Sequence, residues 1–589
     1  MPIWARRSPR GSSAGSARAA TKECTRGWSF SKANWTAWRA TSSVSKKRAS
    51  SCTSSSTDAP GPVRCPPAIR PTPDRTRPVA ARRVAAGILV SRVLGLVRES
   101  VFAHYFGNGA LADAWRAGLR IPNVIQNLLG EGSLSASFIP VYVRLLEEGK
   151  EREAGRVAGA VLGLLCLVAG LLAAAGAWSA PFLAAIVAPG LADDPRAVLV
   201  SLLPILFPMV ALLVVSAWAL GILNSHRRFF VSYVAPALWN VAIIAAVLAG
   251  AARGLMGLDL LLAMAWGALG GGALQLLFQL PFAARHLRGV VPSFGRGVNA
   301  VREVVRNFVP LVAARGAVNL SALLDVFLAS LLAEGALSMM GYAQPLYLLP
   351  ISLFGMSIAA AELPEFSRDR VAGLEAVGKR TRDAVTRVLF WLIPSAIGYV
   401  FFGDEVTAFL RILPSGAFGA GDAAAVGMLL AAFAVGLPAS GTSRVISSAF
   451  YALGEARTPA RIAYLRIAVS ALVGVALMFP LDRWIVGGFA MGAAGLALGS
   501  TAGAWLELYL LDRRLGQRLP GPVLIGGPVR RCLAAAAMAT LAGFGAGALA
   551  PAVHPLVSAA AVLLPFGLTY LAVTGAMGVS PVKLPRWGR

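Results

Sequence analysis

Charged and amide side chains interrupt several long apolar stretches of this sequence at regular spacing. Asp113, Arg116, Arg120, Asn123, Asn127 and Glu131 fall at offsets 0, 3, 7, 10, 14 and 18. On an ideal helix they lie within about 80° of one another, as a single polar stripe. Upstream, Arg92, Arg98 and Glu99 punctuate Ser91–Glu99 (SRVLGLVRE), with Arg92 and Glu99 on one face. Downstream, Arg315, Asn319 and Asp325 share one apolar segment, Tyr342, Gln344 and Glu362 another, and Arg444 a third. Arginine suits phosphate because its fork donates two parallel hydrogen bonds. Such pairs strengthen where the dielectric is low. Arg92, Arg98, Arg116, Arg120 and Arg315 are therefore candidate ligands for a phosphate-bearing anion. Asp113, Asn123, Asn127, Glu131 and Asp325 are candidates for orienting them or for pairing as a gate.

No bond-making chemistry is legible beside these residues. There is no Ser–His–Asp set, no metal-ligand cluster and no nucleotide fingerprint. The glycine-rich stretch 267–272 is followed by no lysine, as a phosphate loop requires, and is expected in close helix packing. His226, in a basic connection, is expected to be solvated. The five cysteines show no paired spacing and imply no disulfide framework. The chain is expected to be no enzyme and to carry no metal or cofactor.

The elements that position such charges must be membrane helices. The chain has 589 residues, 56% hydrophobic and only 14% charged, with a mean hydropathy of +0.66. Soluble domains are about one quarter charged. A spanning helix needs about 20 mostly apolar residues. Windows of that kind lie near 84–106, 111–143, 157–179, 198–223, 230–251, 260–283, 308–333, 337–363, 385–403, 421–453, 459–480, 485–511, 529–550 and 555–578. Lys and Arg collect in every second connection, for example Arg144–Arg156, Arg227–Arg228 and Arg285–Arg306, while 104–110, 334–336 and 551–554 have none. That alternation predicts an all-α polytopic protein of about fourteen transmembrane helices with both termini cytoplasmic. The net charge of +27 invites a nucleic-acid partner, but 15 of the 55 basic residues fall in 1–79 against only Glu23, Asp58 and Asp74. Most others lie in connections, so no nucleic-acid partner is expected. Residues 1–79 are Ser-, Arg- and Pro-rich without apolar period, and read as a disordered basic leader or a misplaced start.

Two halves echo each other. Val101–Phe102 precedes Gly109–Ala110–Leu111, and Val326–Phe327 precedes Gly335–Ala336–Leu337, each with an acidic residue just before (Glu99, Asp325). The expected organisation is a six-helix lobe over 84–284, a second over 303–515, and two further helices over 528–578. Repeats with polar residues at their interface are a transporter signature. The residues alone stop at a transporter or flippase for an anionic amphiphile.

Several ordered segments resemble the MurJ/MviN family, the lipid II flippases within the MOP exporter superfamily. They are Ser91–Glu99, Ala112–Pro140 (ADAWRAGLRIPNVIQNLLGEGSLSASFIP), Gly221–Phe230, Gly271–Pro281, Leu349–Gly355, Leu363–Arg368 and Ser447–Pro459. The resemblance implies two six-helix lobes, a groove for the polyprenyl tail at helices 13 and 14, and a central cationic cavity for the pyrophosphate and sugar-peptide head. It implies alternating access in the bacterial cytoplasmic membrane, with lipid II and membrane lipids as partners of a monomer. Essential arginines of the family match Arg92 and Arg98, its aspartate matches Asp113, and its AEG and PN motifs match Glu131 and Asn123. Two cationic positions depart: Gln126 and Asn127 replace a basic pair, and Pro345 replaces an arginine of helix eight. Arg315, Arg116 and Arg120 are candidates to supply that charge. A sodium site on helices 7 and 11 is not expected, because 459–480 has no acidic residue to complement Asp325. The competing readings are a MOP-type exporter of another polyprenyl-linked saccharide or a drug, and a non-transporting scaffold.

Overall fold

The structure, a computed structural model, describes residues 77–579 apart from 288–289, 291–292, 294–297, 414, 520–525 and 550–553. The leader lies almost wholly outside the described residues. The described chain is helical almost throughout. The helices are α1 (Arg77–Phe106), α2 (Ala110–Leu129), α3 (Glu131–Glu147), α4 (Glu151–Trp178), α5 (Ala180–Val187), α6 (Asp193–Ser225), α7 (Phe229–Ala252) and α8 (Gly257–Ala284). After them come α9 (Asn299–Ser330), α10 (Ala336–Pro350), α11 (Ser357–Ala372), α12 (Leu374–Phe401) and the short α13 (Gly403–Val406). The chain ends with α14 (Ala420–Ala434), α15 (Leu437–Ala452), α16 (Arg457–Leu481), α17 (Gly492–Gly516), α18 (Gly526–Leu549) and α19 (Pro555–Ala576).

Helices satisfy their own backbone groups, which is the condition for crossing hydrocarbon. Among the described residues ten helices are long and apolar enough to span, or eleven if α14 and α15, bent by 40°, form one span. All fourteen expected windows hold helix, but α1 and α2–α3 are not among the helices that qualify, and the side chains of α9 are described only in part. These three are where the charged candidates sit. The twelfth window is shorter than expected, because Ile485–Val486 and Phe489–Ala490 pair as a small hairpin ahead of α17. Gly487 and Gly488 turn it with φ of 62° and 90°, which only glycine adopts freely. The polar stripe is also interrupted: the helix breaks at Gly130, while Pro122 lies inside α2. A π-helical turn, Ile351–Met356, joins α10 to α11 just after Pro350, where proline withholds a backbone donor.

The helix pairs α7–α8, α6–α8 and α1–α7 make large contacts in the first half, and α16–α17 and α12–α15 in the second, with α18–α19 paired and α18 set against α12. Small residues permit the closest approaches. The expected glycine stretch behaves this way, since a Cβ on Gly271 would press on Trp239 and Ala242 of α7. Contacts between the halves include α2 and α3 against α9, α2 against α10, and α1 against the turn Thr407–Arg411.

Candidate functional site

Four helices, α1, α2, α9 and α10, enclose a cavity of about 380 Å3 lined by Arg92, Arg98, Glu99, Arg116, Arg120, Asn123, Asp325 and Gln344, among others. Glu99 is buried and anchors the arginines. Arg98 Nη2 donates to its Oε1 at 2.6 Å, and Arg116 Nη2 to its Oε2 at 2.7 Å. Arg98 also donates to Asn240 Oδ1 at 3.1 Å and lies 4.9 Å over the Trp239 ring. The Arg116 guanidinium sits 4.8 Å from the Phe102 ring centre and 4.7 Å from that of Tyr342. Cation–π contacts of this kind are worth about 0.5–2 kcal/mol each. Arg116 lies directly against Gly341 of α10, where any Cβ would collide with it. An arginine from α2 thus occupies the face of α10, near the position where Pro345 stands in place of the expected arginine. Arg120 Nη2 reaches Gln344 Oε1 at 3.4 Å. Four arginines against Glu99 and Asp325 leave the described lining cationic, which favours an anion.

At one end of this cavity the halves are fastened by helix termini. Asp113 Oδ2 accepts from Gly335 N at 2.8 Å and Oδ1 from Ser338 N at 2.7 Å. These are buried amides at the start of α10, which have no partner within the helix and attract negative charge. Reciprocally, Ala110 N at the start of α2 donates to Glu334 Oε1 at 2.7 Å. Gly335 has φ 91°, a left-handed backbone that aims its N–H at Asp113. Tyr342 Oη donates to Gly107 O at 2.6 Å, and Ser338 Oγ bonds Asn108 Oδ1. The two echoing sequence segments, one ending at Leu111 and the other at Leu337, are the two sides of this fastening.

Toward the end bearing the Lys/Arg-rich connections lies a second cavity of about 530 Å3. Gln126, Asn127, Gly132, Ser135, Ile139, Asn224, Tyr233 and Arg315 line it. Asn127 Nδ2 donates to Asn319 Oδ1 at 2.9 Å, tying α2 to α9. Further out, Arg144 of α3 grips Glu303 of α9 through two hydrogen bonds of 3.0 and 2.7 Å. That hydrogen bonding holds the Glu303 carboxyl below its ordinary value. The pair therefore stabilises the fold above the ordinary glutamate range and is lost as pH falls through the lowered pKa. Because the side chains are 48% and 31% exposed, Glu303→Gln is expected to cost less than about 1 kcal/mol. In thermal melts of purified protein, the gap between wild type and variant should close on acidification; a gap that widens would refute the pairing.

The predicted site residues are thus sorted into three places. Arg92, Arg98, Arg116, Arg120, Asn123 and Asp325 meet at the first cavity. Asp113 sits at the fastening. Arg315 does not join the other arginines: it is exposed and lines the second cavity with Asn127, donating to Asn127 O at 3.4 Å. The reason is axial rise. Arg120 and Asn127 share a face, but seven residues separate them by about 10 Å along the helix. Glu131 begins α3, and its side chain lies outside the described residues. From the sequence Glu99 is legible only as sharing a face with Arg92 and as the acidic residue before the first echoing segment. Its second bond, to Arg116 on another helix, has no local signal. His226 is not simply solvated: its ring stacks on His286 with centroids 4.3 Å apart and bonds the Tyr142 hydroxyl at 3.2 Å.

Comparison with known proteins gives this arrangement relatives. The family model described as "Lipid II flippase MurJ" matches residues 102–562. The chain belongs to the MurJ family. The lipid II flippase MurJ of Burkholderia cenocepacia is 30% identical over 449 residues, covering 74% of this chain and 84% of that protein. The probable lipid II flippase MurJ of Haemophilus influenzae is 33% identical over 451 residues, covering 73% and 84%. Among solved structures, a lipid II flippase MurJ in an inward closed conformation aligns with a TM-score of 0.67 at 21% identity, covering 84% of this chain and 98% of that one. A multidrug MATE-family transporter of the MOP superfamily, inward-facing, aligns at 0.57 and 14%, covering 74% and 98%. The all-α polytopic architecture of a MurJ-family transporter is therefore that of this chain.

Proposed function

We propose that this protein translocates lipid II, the undecaprenyl-pyrophosphate-linked peptidoglycan precursor, from the inner to the outer leaflet of the cytoplasmic membrane. The observation that carries the reading is the four-arginine cavity at the contact of the two halves. Its formal excess of two positive charges matches the two negative charges of a disubstituted pyrophosphate. A cation-exporting relative would need the opposite polarity. Membership of the MurJ family supports the substrate, and the fold shared with MOP transporters supports alternating access.

In this mechanism all fourteen helical windows cross the bilayer, with both termini cytoplasmic, and the chain acts as a monomer. The helices of 84–284 and 303–515 form two rocking lobes, and those of 528–578 flank the lipid tail. The basic end faces the cytoplasm. The Asp113 fastening closes the opposite end while the head group enters. Pyrophosphate then engages Arg92, Arg98, Arg116 and Arg120, displacing part of their bonding to Glu99 and Gln344. Asn123 and Asp325 orient that set, and no covalent bond is made. Membrane potential can bias the cycle by about 2.3 kcal/mol per charge per 100 mV.

The test is complementation of a flippase-depleted strain, with lipid II exposure at the outer leaflet read by an accessibility assay. Wild type is expected to restore exposure and growth, and Arg92→Ala to fail at normal expression. Growth restored by wild type without lipid II exposure would instead point to another polyprenyl-linked saccharide.

A further inference from the structure

The second cavity has a different chemistry from the first. Among its described lining residues the single charge is Arg315. The rest of its polar surface comes from the carboxamides of Gln126, Asn127 and Asn224 and the hydroxyls of Ser135 and Tyr233. Carboxamides both donate and accept, which suits hydroxyl and peptide groups rather than a phosphate. Asn224 gives a specific pointer. Its Oδ1 is buried with no protein hydrogen-bond partner, although the residue lines a cavity of about 530 Å3. A buried acceptor left without a protein partner is matched best by a ligand N–H or O–H. Gln126 and Asn127 stand where the family resemblance leads one to expect a basic pair.

We propose that Asn224 and Gln126 form a second, uncharged subsite that reads the sugar-peptide portion of the head group, while the arginine cavity takes the pyrophosphate. The proposal rests on the lipid II reading above and adds a division of labour within it. The separation fits, since about 10 Å of α2 lies between Arg120 and Asn127, the scale of one saccharide linked to a pyrophosphate. Arg315 would meet a carboxylate of the peptide. A site built to hydrogen-bond a substrate loses heavily when its polar groups are left unpaired, which gives Asn224 its discriminating power.

The experiment compares two lipids on the full chain in detergent: lipid II, and undecaprenyl pyrophosphate, which lacks the sugar and peptide. Wild type is expected to bind lipid II at least about tenfold more tightly, one well-made polar contact set being worth that factor. Asn224→Leu and Gln126→Leu should each shrink this gap while leaving the affinity for undecaprenyl pyrophosphate unchanged, which also certifies the fold. Asn224→Asp, which keeps an acceptor, should retain more of the gap than Asn224→Leu. Arg116→Gln should weaken both lipids together. If Asn224→Leu and Gln126→Leu leave the gap intact, or weaken both lipids equally, the subsite is refuted while the flippase reading stands. If wild type prefers neither lipid over phosphatidylglycerol, the flippase reading itself falls, and the subsite with it.

Discussion

Glu99→Gln is expected to abolish lipid II translocation and to destabilise the protein. The carboxylate is buried between two guanidinium groups at 2.6 and 2.7 Å, so the neutral amide leaves two half-buried arginines without their counter-charge. Removing one member of a fully buried ion set costs about 3–5 kcal/mol, and the partial exposure of the two arginines places this loss at or below the lower end. A drop of that size should be evident in thermal unfolding of the purified protein. The stability and transport effects can be separated with Glu99→Gln combined with Arg116→Gln. The double variant removes one of the orphaned charges and should recover part of the lost stability, because contacting residues are strongly non-additive. Transport should not recover, since the cavity has lost a phosphate ligand. A double variant no more stable than Glu99→Gln, or one that transports, would show that Glu99 does not anchor the arginines.

Asp113→Asn is the second large effect. The carboxylate accepts two backbone N–H groups at the first turn of α10. Hydrogen bonds to a charged acceptor contribute about 1.5–3 kcal/mol each, and the helix terminus adds a favourable field for the anion. Asparagine keeps one acceptor oxygen but turns its own NH2 toward a donor. A loss of about 3 kcal/mol would shift a two-state gate more than a hundredfold. The expected result is loss of complementation at normal expression, with the outer end of the transporter loosened. Leu337, buried beside this contact, reports it: Leu337→Cys should resist an impermeant thiol reagent added outside in the wild-type background and react in the Asp113→Asn background. Equal protection in both backgrounds, with transport intact, would refute the gate role.

Some of this site is written locally. The stripe from Asp113 to Asn127 needs only helical period and the identity of each residue, and α2 holds all five of its members. Alternating Lys/Arg content placed the connections in the same way. The limit appears in the helices themselves. Among the described residues, length and apolarity pick out ten spans, or eleven with the bent pair, and pass over α1 and α2–α3. The polar residues that give those helices their proposed work also erase the hydropathy signal by which a span is counted.

What only the tertiary structure decided is which partner each charge meets. Asp113 finds its amides 222 and 225 positions away, and Arg120 finds Gln344 at a separation of 224. No periodicity carries information over such distances. Composition made Arg315 the equal of Arg116, yet one lines an amide-rich cavity and the other lies between two aromatic rings against Gly341. The sequence alone determined that α2 is polar along one face. Packing against α1, α9 and α10 divided that face into a fastening, an arginine cavity and an amide cavity, because a helix sets azimuth by its own period but takes its neighbours at each height from the fold.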